Sequence, residues 1–89
     1  PTQARMKELL DQGYLLICTV NPRVLEHKDG YSSHAILVYA KDERAFSAHD
    51  PGLPPLRAQQ IPFELFERAW ASPNDQAKNI FAIRSRKVA

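Results

Sequence analysis

The apolar positions of the chain change period several times, and each change predicts an element. Met6, Leu9 and Leu10 share one face at helical spacing among polar neighbours, which predicts a short amphipathic helix. Thr2 stands where a hydroxyl can cap that helix, and Gly13 stands where a helix ends in the left-handed conformation. Tyr14 to Val20 is a continuous apolar run with β-branched residues. With no polar alternation, it predicts a central strand covered on both faces. Asn21-Pro22 stops the strand. The polar stretch from Arg23 to Ser33 has only Val24 and Leu25 as anchors and contains the turn signal Lys28-Asp29-Gly30. It predicts a surface loop about ten residues long, the kind of segment on which sites are built.

A hairpin follows. His34 to Ala40 and Ala45 to Asp50 read as two strands joined by the charged turn Lys41-Asp42-Glu43-Arg44. Asp50-Pro51-Gly52 ends the second strand, and Leu53 to Gln60 reads as a Pro-rich extended connection. Pro62 is placed to open a helix, where its missing N–H is harmless. Phe63, Phe66, Ala69 and Trp70 form one apolar face of that helix, with Glu64, Glu67 and Arg68 outside it. Ser72-Pro73-Asn74 closes the helix, and Asn79 to Ile83 reads as a last short strand. The order helix, strand, hairpin, helix, strand predicts an α+β fold around a small, mainly antiparallel sheet.

Size changes this picture only by limiting it. The 89 residues suffice for one domain, 1–89, with a modest core. At 44% hydrophobic and 25% charged the chain has an ordinary globular composition. Its net charge of +2 comes from scattered basic residues, with one cluster at Arg84, Arg86 and Lys87 that reads as a solvated tail. No basic stripe with interleaved aromatics is present, so nucleic acid is not an expected partner. No apolar run approaches the roughly 18 residues of a membrane span. No basic-then-apolar signal segment opens the sequence either, and the expected location is cytoplasmic. The single cysteine, Cys18, excludes an internal disulfide and a multi-cysteine zinc site. The spacings of His27, His34 and His49 match no zinc pattern, so neither a metal nor a cofactor is expected.

The run Ser33-His34-Ala35-Ile36-Leu37-Val38-Tyr39-Ala40, followed by Phe46-Ser47-Ala48-His49-Asp50-Pro51-Gly52, resembles the His and Asp strands of papain-like cysteine peptidases. It is most similar to the bacteriocin-processing type that removes double-glycine leaders. A strand ending in Asn, here Ile17 to Asn21, lies upstream. A helix with Phe and Ala-Trp, here Phe63 or Phe66 with Ala69-Trp70, lies downstream, so the resemblance covers roughly residues 5 to 84. Two departures stand out. Ser33 and Ala40 occupy positions where that family often has Gly. The family's oxyanion-hole Gln and helix-capping Cys, which belong to its first half, have no counterpart.

The resemblance implies the His- and Asp-bearing half of a peptidase domain, in which His34 would activate a cysteine missing from this chain and Asp50 would orient the imidazole, so the chain alone is expected to be inactive. Such chemistry needs a thiolate, which a neighbouring imidazolium favours, and a third group that fixes the ring's tautomer. It also sets a geometric condition. Side chains alternate across a strand, so His34 and Asp50 share a face only in one parity of the hairpin register. A two- or four-residue loop aims them apart; a three- or five-residue loop, or a bulge, aligns them. The aligned register is the expectation.

Each residue also has an ordinary reading. A histidine at a strand start can simply bond to loop backbone, and Asp before Pro is a common turn former. His49 should face away from Asp50, and His27 sits in a charged loop. Cys18, inside the most apolar segment, reads as a small buried hydrophobe rather than a nucleophile. The implied partners are a peptide or protein substrate or ligand, together with a missing N-terminal half or a second copy of the chain. Half a domain should expose the apolar surface meant for the other half. A peptide-binding or regulatory module that keeps the fold without the chemistry is the alternative function.

Overall fold

Leu16, Cys18 and Val20, alternate residues of one strand, are buried, while the residues between them are only partly so. That alternation orders the whole molecule. The computed structural model describes residues 1–50 and 56–84. Helix α1 (Gln3–Asp11) leads into β1 (Tyr14–Val20), the single-turn α2 (Pro22–Leu25) and the hairpin of β2 (His34–Lys41) and β3 (Ala45–Asp50). Strand β4 (Leu56–Pro62), helix α3 (Phe63–Trp70), a 3-10 turn at Asp75–Ala77 and strand β5 (Phe81–Arg84) complete it. The strands form one sheet in the order β4-β3-β2-β1-β5, antiparallel at every step. This is the α+β class with a five-stranded antiparallel sheet and two longer helices, α1 and α3.

Both longer helices pack on the same face. Met6 and Leu9 of α1 and Phe66, Ala69 and Trp70 of α3 join Leu16, Cys18, Val20, Ile36, Val38, Phe46, Ala48 and Ile61 in one core. Phe46 is its hub, edge-on to Phe63 and Phe66 with both ring centroids 4.9 Å away. Edge-on rings place positive edges against negative faces and add about 0.5–1.5 kcal/mol per pair to the area they bury. Helix α1 forms as expected: the Thr2 hydroxyl accepts from Arg5 N at 3.1 Å, and Gly13 follows at φ +90.

Five expectations are corrected. Among the described residues, strand β1 is covered by helices on one face only, so its continuous apolar run also presents Leu15 and Ile17 on an open face, beside Leu37 and Ile83. The Pro-rich connection is a strand over Leu56–Pro62, paired with β3 from Ala45↔Pro62 to Asp50↔Leu56. Tertiary pairing outweighed its weak local strand signal there. The loop after Asn21 begins with the turn of helix α2, because the Asn21 side chain caps Arg23 N and Pro22 suits the first helical position. Pro62 is the residue before α3 rather than its first, and the last strand begins at Phe81 instead of Asn79.

Asn79 explains that shift. Its Oδ1 accepts from Thr19 N at 2.9 Å and its Nδ2 donates to Thr19 O at 3.2 Å. A side chain thus replaces a strand residue at this end of β1, which β5 pairs only from Tyr14 to Ile17. The Asn79 carbonyl also accepts from the indole N–H of buried Trp70 at 2.8 Å, tying α3 to the sheet edge. Pro51 to Pro55 and the tail from Ser85, which includes Arg86 and Lys87, lie outside the described residues. Arg84 itself lies in β5, its guanidinium 5.5 Å from the Tyr14 ring centre. No helix among the described residues is long and apolar enough to cross a membrane.

Candidate functional site: a His–Asp pair at the end of the hairpin

The turn of the β2–β3 hairpin is set by Asp42. Its Oδ1 accepts from Arg44 N at 2.7 Å and Ala45 N at 2.8 Å. These two N–H groups hold its carboxyl below the usual carboxylate range. Asp42 N in turn donates to Ala45 O at 3.0 Å, closing the hairpin around Glu43 and Arg44. This is a two-residue loop. Nearest to it, Lys41 pairs with Phe46 and Ala40 with Ser47. Continued unbroken, that register would put His34 and Asp50 on opposite faces.

It does not continue unbroken. Beyond Ala40 the pairing becomes Val38↔Ala48 and Leu37↔His49, so Tyr39 is an extra residue on β2. Such a bulge changes the phase of one strand against its partner by a single residue. On the near side Lys41 shares the helix-covered face with Phe46 and reaches Asp11 of α1 at 3.0 Å. On the far side Ile36, Val38 and Ala48 take that face and are buried. Continuing the shifted register sets Asp50 opposite Ile36, with His34 one pleat further along on the same face. The bulged form of the aligned register is the one the molecule adopts.

The outcome is a direct bond. His34 Nε2 meets Asp50 Oδ1 in a short contact between partly buried side chains. The His34 side chain keeps 34% of its surface exposed and Asp50 only 18%. A carboxylate only accepts, so the shared proton belongs to Nε2 and the neutral ring is held as the Nε2–H tautomer. Nδ1 is then the nitrogen outside this bond, and in that tautomer it carries a lone pair able to take a proton.

The chain leading into His34 is held by Asn21, a fully engaged buried amide. Asn21 is 2% exposed. Its Nδ2 donates to Gly30 O at 3.1 Å and to Ser72 Oγ at 3.0 Å. Its Oδ1 accepts from Arg23 N at 3.0 Å and Ser32 N at 3.3 Å. Its backbone N–H reaches Ala69 O at 2.9 Å. The end of β1, the start of α2, the loop before β2 and the end of α3 thus meet at one residue. Sequence reading took Asn21 only as a strand stop; the signal missed was an Asn-Pro pair that caps a helix while facing the core.

The other candidates separate from the pair. Cys18 is fully buried under the helices, and burial pushes its thiol up to about 12. His49, paired with Leu37, lies on the open face of the sheet, away from Asp50. His27 is exposed in the loop after α2 at φ +59. Among the described residues no three His, Cys, Asp or Glu side chains gather as a metal-binding group. Compared with protein-family models, curated proteins and solved structures, the chain gives no match.

Proposed function

We propose that this chain is the His- and Asp-bearing part of a papain-like cysteine peptidase, acting on a peptide or protein substrate. In this reading a thiol from outside these 89 residues approaches His34. Nδ1 takes the thiol proton, leaving a thiolate–imidazolium pair. The thiolate then attacks the peptide carbonyl, and the imidazolium returns the proton to the departing amine. Asp50 holds the ring in the tautomer this requires. The observation that carries the reading is the bulge-corrected His34–Asp50 bond, with 34% of the His34 side chain exposed. Cys18 cannot supply the nucleophile, because it is buried and its thiolate is disfavoured.

The open apolar face supports the second part of the proposal. Leu15, Ile17, Leu37 and Ile83, with Phe81 at 65% exposure, offer a surface suited to a second lobe or a second copy of the chain. The test uses the protein as its own gene produces it, alkylated with iodoacetamide and mapped by mass spectrometry. A cysteine outside residues 1–89 should react first, and His34→Ala should slow it and peptide hydrolysis roughly 100-fold or more. If no thiol responds but a peptide binds in a His34-dependent manner, the non-catalytic binding module replaces the peptidase. Labelling, hydrolysis and binding all indifferent to His34→Ala and Asp50→Asn would sink both.

A further inference from the structure

The pair can work only if the His34 backbone is placed correctly, since Asp50 reaches it from a different strand across a bulged register. Two contacts fix that backbone. His34 pairs with Val20 at the end of β1. Two residues earlier, Ser32 N is held by Asn21 Oδ1 at 3.3 Å. Val20 and Asn21 are adjacent, so both restraints issue from the same point of the chain. We infer that Asn21 is the positioning residue of the His34–Asp50 pair, fixing the path of residues 30–32 into β2 so that the imidazole meets the carboxylate. The inference deepens the peptidase reading and rests on it for any catalytic consequence.

The amide is suited to this task in a way its near neighbours are not. Both of its donors and both acceptor directions are occupied: Gly30 O and Ser72 Oγ on the nitrogen, Arg23 N and Ser32 N on the oxygen. Asp at this position has no donor for Gly30 O or Ser72 Oγ, and would bury a charge. Ala leaves all four partners without it. Gly30, at φ +100, lets the loop turn back so that its carbonyl faces Asn21. The Arg23 side chain covers the same glycine, 3.3 Å from where a Cβ would stand. The loop is therefore laid down against Asn21 from both sides, and His34 follows directly from its end.

The experiment reads the His34 ring itself. Nitrogen-15 NMR distinguishes the Nε2–H from the Nδ1–H tautomer, and a ring proton shared with Asp50 exchanges slowly enough to be seen. The wild-type chain should show the Nε2–H form, with Asp50→Asn as the reference for a weakened bond. Asn21→Ala should lose the ring-proton resonance and mix the tautomers, and Ser72→Ala should do so in part. Leu9→Ala, which loosens α1 far from the loop, should keep the wild-type signature although it lowers stability; that separates positioning from general weakening. A folded Asn21→Ala with an unchanged His34 signature overturns the inference. If Asn21→Ala does not fold, an unchanged signature in Ser72→Ala overturns it. If the signature is lost while thiol labelling and peptide hydrolysis of the gene product stay constant, Asn21 positions the pair and the peptidase reading falls instead.

Discussion

Replacing or labelling Cys18 separates the two possible sources of a nucleophile. Cys18 is fully buried between β1 and the helices, and desolvation raises its thiol from the ordinary 9.0 to about 12. Thiolate is the reacting species. At pH 8 roughly a tenth of an ordinary cysteine is ionised, against about one part in ten thousand for Cys18 in the fold, a suppression of about a thousandfold from ionisation alone. Alkylation by iodoacetamide, compared between native protein and protein in urea, measures that ratio. Stability carries the same information. The neutral thiol is favoured by the fold, so the folded pKa lies above the unfolded one, and the stabilisation is fully present below pH 9.0 and lost as pH rises towards about 12. The slope is about 1.4 kcal/mol per pH unit, or roughly 4 kcal/mol across the whole window. In urea unfolding, the stability of the wild type relative to Cys18→Ala should be flat from pH 7 to 9 and fall with this slope from pH 9 to 10.5. Native alkylation within tenfold of the unfolded rate would refute the reasoning and return Cys18 to the list of nucleophiles.

Other outcomes follow from the packing. Phe66→Ala removes the ring between Phe46 and Trp70 and should cost about 3–5 kcal/mol by urea unfolding; a loss under 1 kcal/mol contradicts the core assignment. Asn79→Ala leaves Thr19 N and O on β1 without their side-chain partner, and should cost about 1–3 kcal/mol while speeding hydrogen exchange at Thr19. Deleting Tyr39 removes the bulge but keeps the pairings on either side in phase, so the His34–Asp50 ring-proton signal should survive; its loss means the bulge itself holds the pair. Leu37→Lys puts a charge on the open sheet face. It should change stability by no more than about 0.5 kcal/mol; if the proposed second lobe or second copy covers this face, it should also weaken association of the gene product in light scattering, and unchanged association counts against that part of the proposal.

Much of the fold could be read from local signals where one interaction dominates. Thr2 and Gly13 bracket α1, Asn21-Pro22 ends β1, and the apolar face of α3 enters the core because caps, turns and helical period act within a few residues. Strand β4 could not be read this way. Arg57-Ala58-Gln59-Gln60 has no strand pattern of its own and becomes a strand because β3 offers it an edge. The pair was legible as two residue types at strand ends, but its alignment was not. That depends on Tyr39, a single residue with no bulge signature such as glycine, and was foreseen only as one branch of a parity condition. The double coverage expected for β1 was a fair reading of a run in which only Thr19 is polar; its second face is open among the described residues. Asn21 looked like punctuation because three of its four partners, Gly30, Ser32 and Ser72, lie in two segments that its own sequence neighbours do not reveal.

The bulge at Tyr39 also bears on how this arrangement would be recognised elsewhere. His34 and Asp50 are 16 positions apart, but the phase of the hairpin brings them together, and the count does not. A hairpin one residue shorter, with no bulge, delivers the same side chains to the same face. A hairpin of equal count with its irregularity removed and its turn lengthened does so as well. A fixed His-to-Asp interval is thus a poor signature for this geometry, and chains of common descent could drift past it by one insertion or deletion while keeping the pair. The invariant to look for is a face: a histidine opening one strand and an aspartate closing the next, both in step with the buried residues between them.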